Sequence, residues 1–240
     1  MTLARALSYI AACALLTACP GPRKLSPLVP IALVPVSRDS ATAWTRTTLP
    51  RMPTLIRFRW RYQDARVKYA GRGTARIAPP DSMRFDYVAM LGFGSGAAVL
   101  IGDSVLWADP ADNFRSLVPA VPMLWAAFAM VRPPAGDAEA LSAQLADSLS
   151  PRRRVIWRFA QPGDTLEYVV TDSAGRRSIV EAEWRRRVER VARSRTQLDS
   201  LGRPVSARID FPEAGARFEL TVGSIDTAAV IAPAVWRSRR

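Results

Sequence analysis

The chain has 240 residues, 49% of them hydrophobic, and a net charge of +13 carried almost wholly by arginine, since Lys24 and Lys68 are the only lysines. It contains no histidine, which excludes Ser-His-Asp catalysis and almost every zinc site and leaves carboxylates, Tyr, Ser, Thr and Arg as its chemical repertoire. The arginines alternate with apolar residues instead of forming one block, so nucleic acid is not expected; a compositional bias, a solvated strand face and attraction to anionic headgroups remain as readings of the charge.

At the N-terminus, Arg5 is followed by an apolar run from Ala6 to Leu16. That run is shorter than the roughly 20 residues a membrane-spanning helix needs, and it has the form of a cleaved signal peptide. It ends in Leu16-Thr17-Ala18-Cys19, which resembles a bacterial lipobox. The resemblance implies that residues 1–18 are removed and that Cys19 becomes a lipidated N-terminus. Several acyl chains on one residue give stable anchoring. Pro20 follows the cysteine where Asp would signal retention, so by resemblance to enterobacterial sorting the expected place is the periplasmic side of the outer membrane. Cys13 would leave with the leader and Cys19 would carry lipid, so no disulfide is expected in the remaining 222 residues.

Residues 20–40 hold five prolines and no clear periodicity. With the stretch to residue 50 they read as a proline-rich tether, extended or loosely docked. At about 3.1 Å per residue, its proline-rich part reaches roughly 60 Å from the bilayer. The folded domain is expected over 51–240.

From residue 55 the period becomes two. Ile56, Phe58, Trp60 and Tyr62 alternate with Arg57, Arg59 and Arg61, the mark of a half-buried antiparallel strand. The same rhythm returns at Met83, Phe85 and Tyr87. Later it runs through Val155, Trp157 and Phe159, then Leu166, Tyr168 and Val170, then Val180, Ala182 and Trp184. It ends with Val205 to Phe211 and Phe218 to Val222. Short turn signals between these runs read as a meander.

Between Met83 and Asp109 lies VAMLGFGSGAAVLIGDSVLWAD, in which Gly92, Gly94 and Ala97 spell G-x-G-x-x-A. A dinucleotide-binding unit needs a helix after those glycines. Here a second strand follows at once, so the stretch reads as a hairpin whose glycines bend a curled sheet. The next interval breaks the alternation: Asp109-Pro110 looks like a helix start, and a helix is expected over 122–131. Leu141, Leu145 and Leu149, four apart, read as a second amphipathic helix over 137–149. A helical insert is therefore expected over about 110–149.

The strand hairpins, the apolar VPAVPMLWAAFAM and the closing meander, taken with the lipobox, resemble the LolA/LolB-like family of lipoprotein carriers and receptors, and LolB more than LolA. The resemblance covers roughly residues 55–235. It implies a mainly β fold, a half-open antiparallel barrel around an apolar cavity with an inserted helical lid. The lid would carry Met123, Leu124, Trp125, Phe128 and Met130. Leu91, with Phe93 beside it, stands where such receptors expose a cargo-receiving leucine. The family also opens with a helix before the first strand, for which only ATAWTRTTL is at hand.

Cavity candidates are Phe58, Trp60, Phe85, Tyr87, Val99, Trp107, Trp157 and Trp184. No cofactor, metal or enzyme activity is expected. The expected function is an anchored protein taking acyl chains of lipoproteins or lipids into the cavity, monomeric, with a soluble periplasmic carrier as a candidate partner. The alternatives are a filled β-domain serving as a structural or interaction lipoprotein, and an exported hydrolase using Asp103, Asp109 and Asp112.

Overall fold

The computed structural model describes residues 32–90, 94–102, 104–117, 120–132, 136–145, 153–173 and 176–237. Cys19, Leu91, Phe93, Asp103 and Leu149 lie outside them.

One antiparallel sheet of 13 strands makes up most of the fold. Its edge is β1 (Val34–Pro35), paired to β7 (Glu139–Leu145). From there it runs in sequence order through β8 (Arg153–Gln161), β9 (Asp164–Ser173), β10 (Arg176–Arg186), β11 (Glu189–Leu198), β12 (Pro204–Phe211) and β13 (Ala216–Asp226). β13 pairs back onto β2 (Thr54–Gln63), joining the two halves of the chain. The sheet then ends through β3 (Lys68–Ala78), β4 (Ser82–Ala89), β5 (Ser95–Ile101) and β6 (Ser104–Asp109). The edges do not pair with each other, so the curved sheet is a half-open barrel with a helical insert on its concave side.

The period-two reading holds in most strands; in β10 a bulge between Ile179 and Glu181 turns Val180 to the convex cluster, and Val205 at the start of β12 is exposed. In β2, Ile56, Phe58, Trp60 and Tyr62 are buried and the intervening arginines are exposed. Their bulk is accommodated by the next strand: Phe58 faces Gly73 and Trp60 faces Gly71. A Cβ on Gly73 would lie 2.4 Å from the Phe58 ring, and one on Gly71 2.8 Å from the Trp60 ring. The same holds in the glycine-rich stretch, where a Cβ on Gly96 would lie 2.4 Å from the Tyr87 ring. These glycines exist for close approach of aromatic rings across the sheet.

Four expectations are corrected. The predicted helix over 137–149 is strand β7. A spacing of four is also two periods of a strand, and pairing with β8 decides between them. The insert is shorter than expected: α2 (Ala111–Leu117) and α3 (Val121–Ala127). The tether is not extended up to residue 50, because α1 (Arg38–Thr48) precedes β2. Ser37 caps it by accepting from the Ser40 N–H, and the helix buries Ala41, Trp44 and Thr45. This supplies the opening helix that the family comparison called for. Finally, Val99 and Trp107 are not concave. They pair with each other and with Arg84 on the convex face, where the C-terminal turn Pro233–Trp236 covers them. Trp107 donates to the Trp236 carbonyl at 3.1 Å and lies beneath the Arg84 guanidinium.

Candidate concave binding site

Phe58, Trp60, Phe85 and Tyr87 project from β2 and β4 onto the concave face and are at most 5% exposed. They form one aromatic floor, with Phe58 5.3 Å from Phe85 and Trp60 edge-on to Tyr87 at 6.0 Å. Trp157 belongs to a second group: it stacks on Trp44 of α1 at 4.5 Å, and Trp44 in turn meets Tyr168. Trp184 is half-buried at the margin of the same core, under the Arg186 guanidinium. Trp44, Phe114, Phe159, Tyr168 and Phe218 share this interior although none is a cavity candidate from the sequence. All but Trp44 and Phe114 stand in strands whose alternation marks them as inward; Trp44 was assigned to the tether.

All five lid candidates are buried: Met123, Leu124 and Trp125 at 0%, Phe128 at 1% and Met130 at 7%. Helix α3 crosses β10, β11 and β12. The concave residues of these strands include the small Ala182, Ala192, Ser194 and Ala207 beside Ile179, Ile209 and Phe211, and the buried side chains of α3 pack in the same core. Phe128 reaches across to Phe58 at 5.6 Å, and Phe114 of α2 packs on Phe85 at 6.1 Å.

Little but burial holds α3. It has no side-chain N-cap, no acidic residue in its first turn and no basic residue in its last. Its polar fastenings are few. Trp125 Nε1 donates to the Gly102 carbonyl at 3.0 Å, and the Thr196 hydroxyl donates to the Ala126 carbonyl at 2.8 Å. After the helix, the Val131 N–H donates to Thr48 Oγ1, and the Tyr168 hydroxyl donates to the Arg132 carbonyl. Asp81 faces Arg132 at 3.7 Å, and the guanidinium lies over Trp125.

Three buried polar atoms of this interior have no hydrogen-bond partner: Trp44 Nε1, Tyr87 Oη and Ser194 Oγ. Burial, with a smaller contribution from Asp109, raises the Tyr87 phenol above its usual range, so it stays neutral. Of the carboxylates weighed for hydrolysis, Asp109 and Asp112 are exposed, and Asp112 faces Arg115. Among the described residues no cluster of three His, Cys, Asp or Glu stands ready for a metal.

No protein-family pattern matches this chain, and no curated protein does. Among solved structures, a LolA superfamily protein from Nitrosomonas europaea is similar with a TM-score of 0.55 at 12% identity, over 85% of this chain and 98% of that one. A DUF1329 family protein from Desulfovibrio piger gives 0.46 at 8% identity, over 83% and 95%. A domain from Vibrio parahaemolyticus named for outer membrane lipoprotein sorting gives 0.43 at 7%, over 78% and 90%. At such identities the likeness is one of fold: the half-open barrel with its inserted helices is LolA-like.

Proposed function

We propose that this chain is a LolA/LolB-like envelope lipoprotein, anchored through Cys19 on the periplasmic face of the outer membrane, that takes acyl chains between α3 and the concave sheet. The observation that carries the reading is the mismatch between how α3 is buried and how it is held. Its Met123, Leu124 and Trp125 side chains are fully buried over a face that includes Ala182, Ala192, Ser194 and Ala207, yet it has no side-chain N-cap and no charges at its ends and is fastened by a handful of hydrogen bonds. A hydrocarbon chain that replaced those side chains would recover about 0.8 kcal/mol per buried methylene. The unpartnered Trp44 Nε1, Tyr87 Oη and Ser194 Oγ would offer donors to an ester or amide carbonyl. The LolA-like fold adds to this by analogy only.

The alternative is a filled interaction domain, favoured by the very completeness of the packing under α3. Native mass spectrometry of the protein extracted in mild detergent separates the two. Bound lipid, together with faster uptake of a fluorescent fatty acid by Thr196→Val/Tyr168→Phe, is expected if α3 moves. Absence of lipid, with no uptake by either form, assigns the chain to the filled class.

A further inference from the structure

The arginine excess is not spread evenly in its pairing. On the β8–β13 part of the convex face, arginines meet carboxylates across neighbouring strands, Arg158 with Glu167 at 2.7 Å, Arg193 with Glu181 at 2.5 Å and Arg217 with Asp210 at 3.5 Å, and along β12 Arg208 meets Asp210 at 2.7 Å. Arg185 and Arg190 both close on Glu183. On β3 Arg76 still pairs with Asp86 of β4 at 2.6 Å, but along β2 and the facing stretch of β3 up to Arg72 the pattern stops. Arg57, Arg59, Arg61 and Arg72 are exposed, and among the described residues none of them is ion-paired. Arg59 and Arg72 stand directly opposite each other across the strand pair, an arrangement that repels. Glu219, in register with Arg61, turns instead to Arg217 at 3.7 Å.

Apolar side chains stand flush with this row. Val88 pairs with Arg72 in register and is 59% exposed, and Met90 beyond it is 60% exposed. A recess of about 710 Å³ lies among Arg59, Arg61, Arg72 and Met90, with the carboxylate of Glu219 also in its lining. Along β2 the arginines repeat every second residue, a pitch of about 6.7 Å. The face thus presents a regular row of guanidinium groups that forgo ion pairs within the fold, with exposed apolar residues at its edge.

We propose that this face docks on an anionic phospholipid surface. Arg57, Arg59, Arg61 and Arg72 take lipid phosphates, and Val88 and Met90 enter the shallow apolar layer. A guanidinium binds phosphate in a two-pronged fashion. A bilayer offers phosphates at every point of a flat face and hydrocarbon just below them, matching both halves of the patch. An acidic protein would answer the arginines but leave Val88 and Met90 without a purpose. Docking of this kind does not require α3 to move, so it stands apart from acyl-chain uptake.

The test uses the full chain carrying Cys13→Ser, Cys19→Ser and Thr221→Cys. The new cysteine is the single labelling position, in register with Arg59, and no lipid anchor remains. An environment-sensitive dye on it is titrated with neutral phosphatidylcholine vesicles and with vesicles containing phosphatidylglycerol. Neutral vesicles account for any insertion of the N-terminal apolar run. A blue shift and quenching by headgroup nitroxides are expected only with the anionic vesicles. Raising salt from about 0.1 M to about 1 M shortens screening from about 10 to about 3 Å and should reverse both signals. Arg59→Gln/Arg61→Gln/Arg72→Gln should shift the lipid midpoint by roughly one hundredfold, at about fivefold per basic residue. An equal charge loss at Arg38, Arg115 and Arg187 should leave most of the binding. Equal signals on both vesicle types, equal losses for the two triple variants, or binding to polyglutamate but not to anionic vesicles would each overturn the proposal. Circular dichroism of the variants excludes unfolding as the cause.

Discussion

Two parts of one sheet solve the same packing problem in opposite ways. Across β2 to β5 the concave face is built of large rings, with Phe58, Trp60, Phe85 and Tyr87 laid over the glycines of adjoining strands. Across β10 to β12 the concave face mixes small residues, Ala182, Ala192, Ser194, Thr196 and Ala207, with Ile179, Ile209 and Phe211, and further bulk is delivered from above by α3. The first part is built chiefly by its own strands, with Phe128 and Phe114 of the insert laid against Phe58 and Phe85. The second is covered by a separate seven-residue helix, the element that leaves under the proposed function while the strands stay paired. Under the proposed function, a change of volume in this interior belongs to the second part.

Removing the largest side chain of the covering helix is the strongest way to probe that difference. Trp125 is fully buried and also bonds the Gly102 carbonyl. Trp125→Ala should cost about 3–5 kcal/mol in urea unfolding. If the small-residue bed accepts ligand in place of the helix, a fatty acid should restore part of that loss; an unrestored loss places α3 with the fixed core. The complementary change overfills the aromatic part. Gly73→Val sets a branched side chain against the Phe58 ring and the Asp86 carbonyl, already 2.4 and 2.9 Å from a bare Cβ. A loss of about 1–3 kcal/mol is expected, and fatty acid should restore none of it. Recovery there would erase the distinction between the two parts.

This contrast also explains which elements could be read from the sequence. Strands β2, β4, β8, β9 and β13 announce themselves because large apolar residues alternate with polar ones. Strands β3 and β11 do not: their inward positions are Gly71, Gly73 and Ala75 in one and Ala192, Ser194 and Thr196 in the other. Small residues carry almost no periodic signal, yet they are inward because a ring or a helix needs the room. The phase of Val99 was hidden for another reason. Ala98, Val99 and Leu100 are all buried, Val99 beneath the C-terminal segment and its neighbours in the concave core, so the run shows no alternation. Helix α1 was obscured by its proline-rich approach, and Leu33 of that approach packs on the convex cluster of Leu145, Ile156 and Val169.

The paired and unpaired arginines sharpen the comparison on the outer surface. Arg59→Gln removes one of two like charges facing each other and breaks no ion pair. Its effect on urea unfolding should stay within about 0.5 kcal/mol, on the stabilising side. Arg190→Gln, by contrast, removes one of the arginines holding the largely buried Glu183 and should destabilise measurably. Equal effects would mean that the β2–β3 row is as integrated as the rest.

The smallest expected effect asks whether the two parts unfold together. Each is closed by a similar turn. Asp64 between β2 and β3 accepts the Arg66 and Val67 N–H groups at 2.7 and 2.8 Å, while Asp199 between β11 and β12 accepts those of Leu201 and Arg203 at 2.9 and 2.8 Å. Those N–H groups hold both carboxyls below the usual aspartate range, the Arg203 guanidinium adding to the effect on Asp199 and the Tyr62 hydroxyl to that on Asp64. With the folded value below the unfolded one near 3.9, the charged form favours folding. The contribution is therefore full above the unfolded value and disappears as pH falls through the folded one. Asp64→Asn and Asp199→Asn should each differ from the parent by a constant amount at neutral pH, and that difference should shrink below about pH 4. Followed by amide exchange, both substitutions should speed exchange throughout β2–β5 and β10–β12 alike if the β13–β2 pairing makes the sheet one cooperative unit. Faster exchange confined to the part carrying the substitution would show that the aromatic floor and the helix-covered bed open separately.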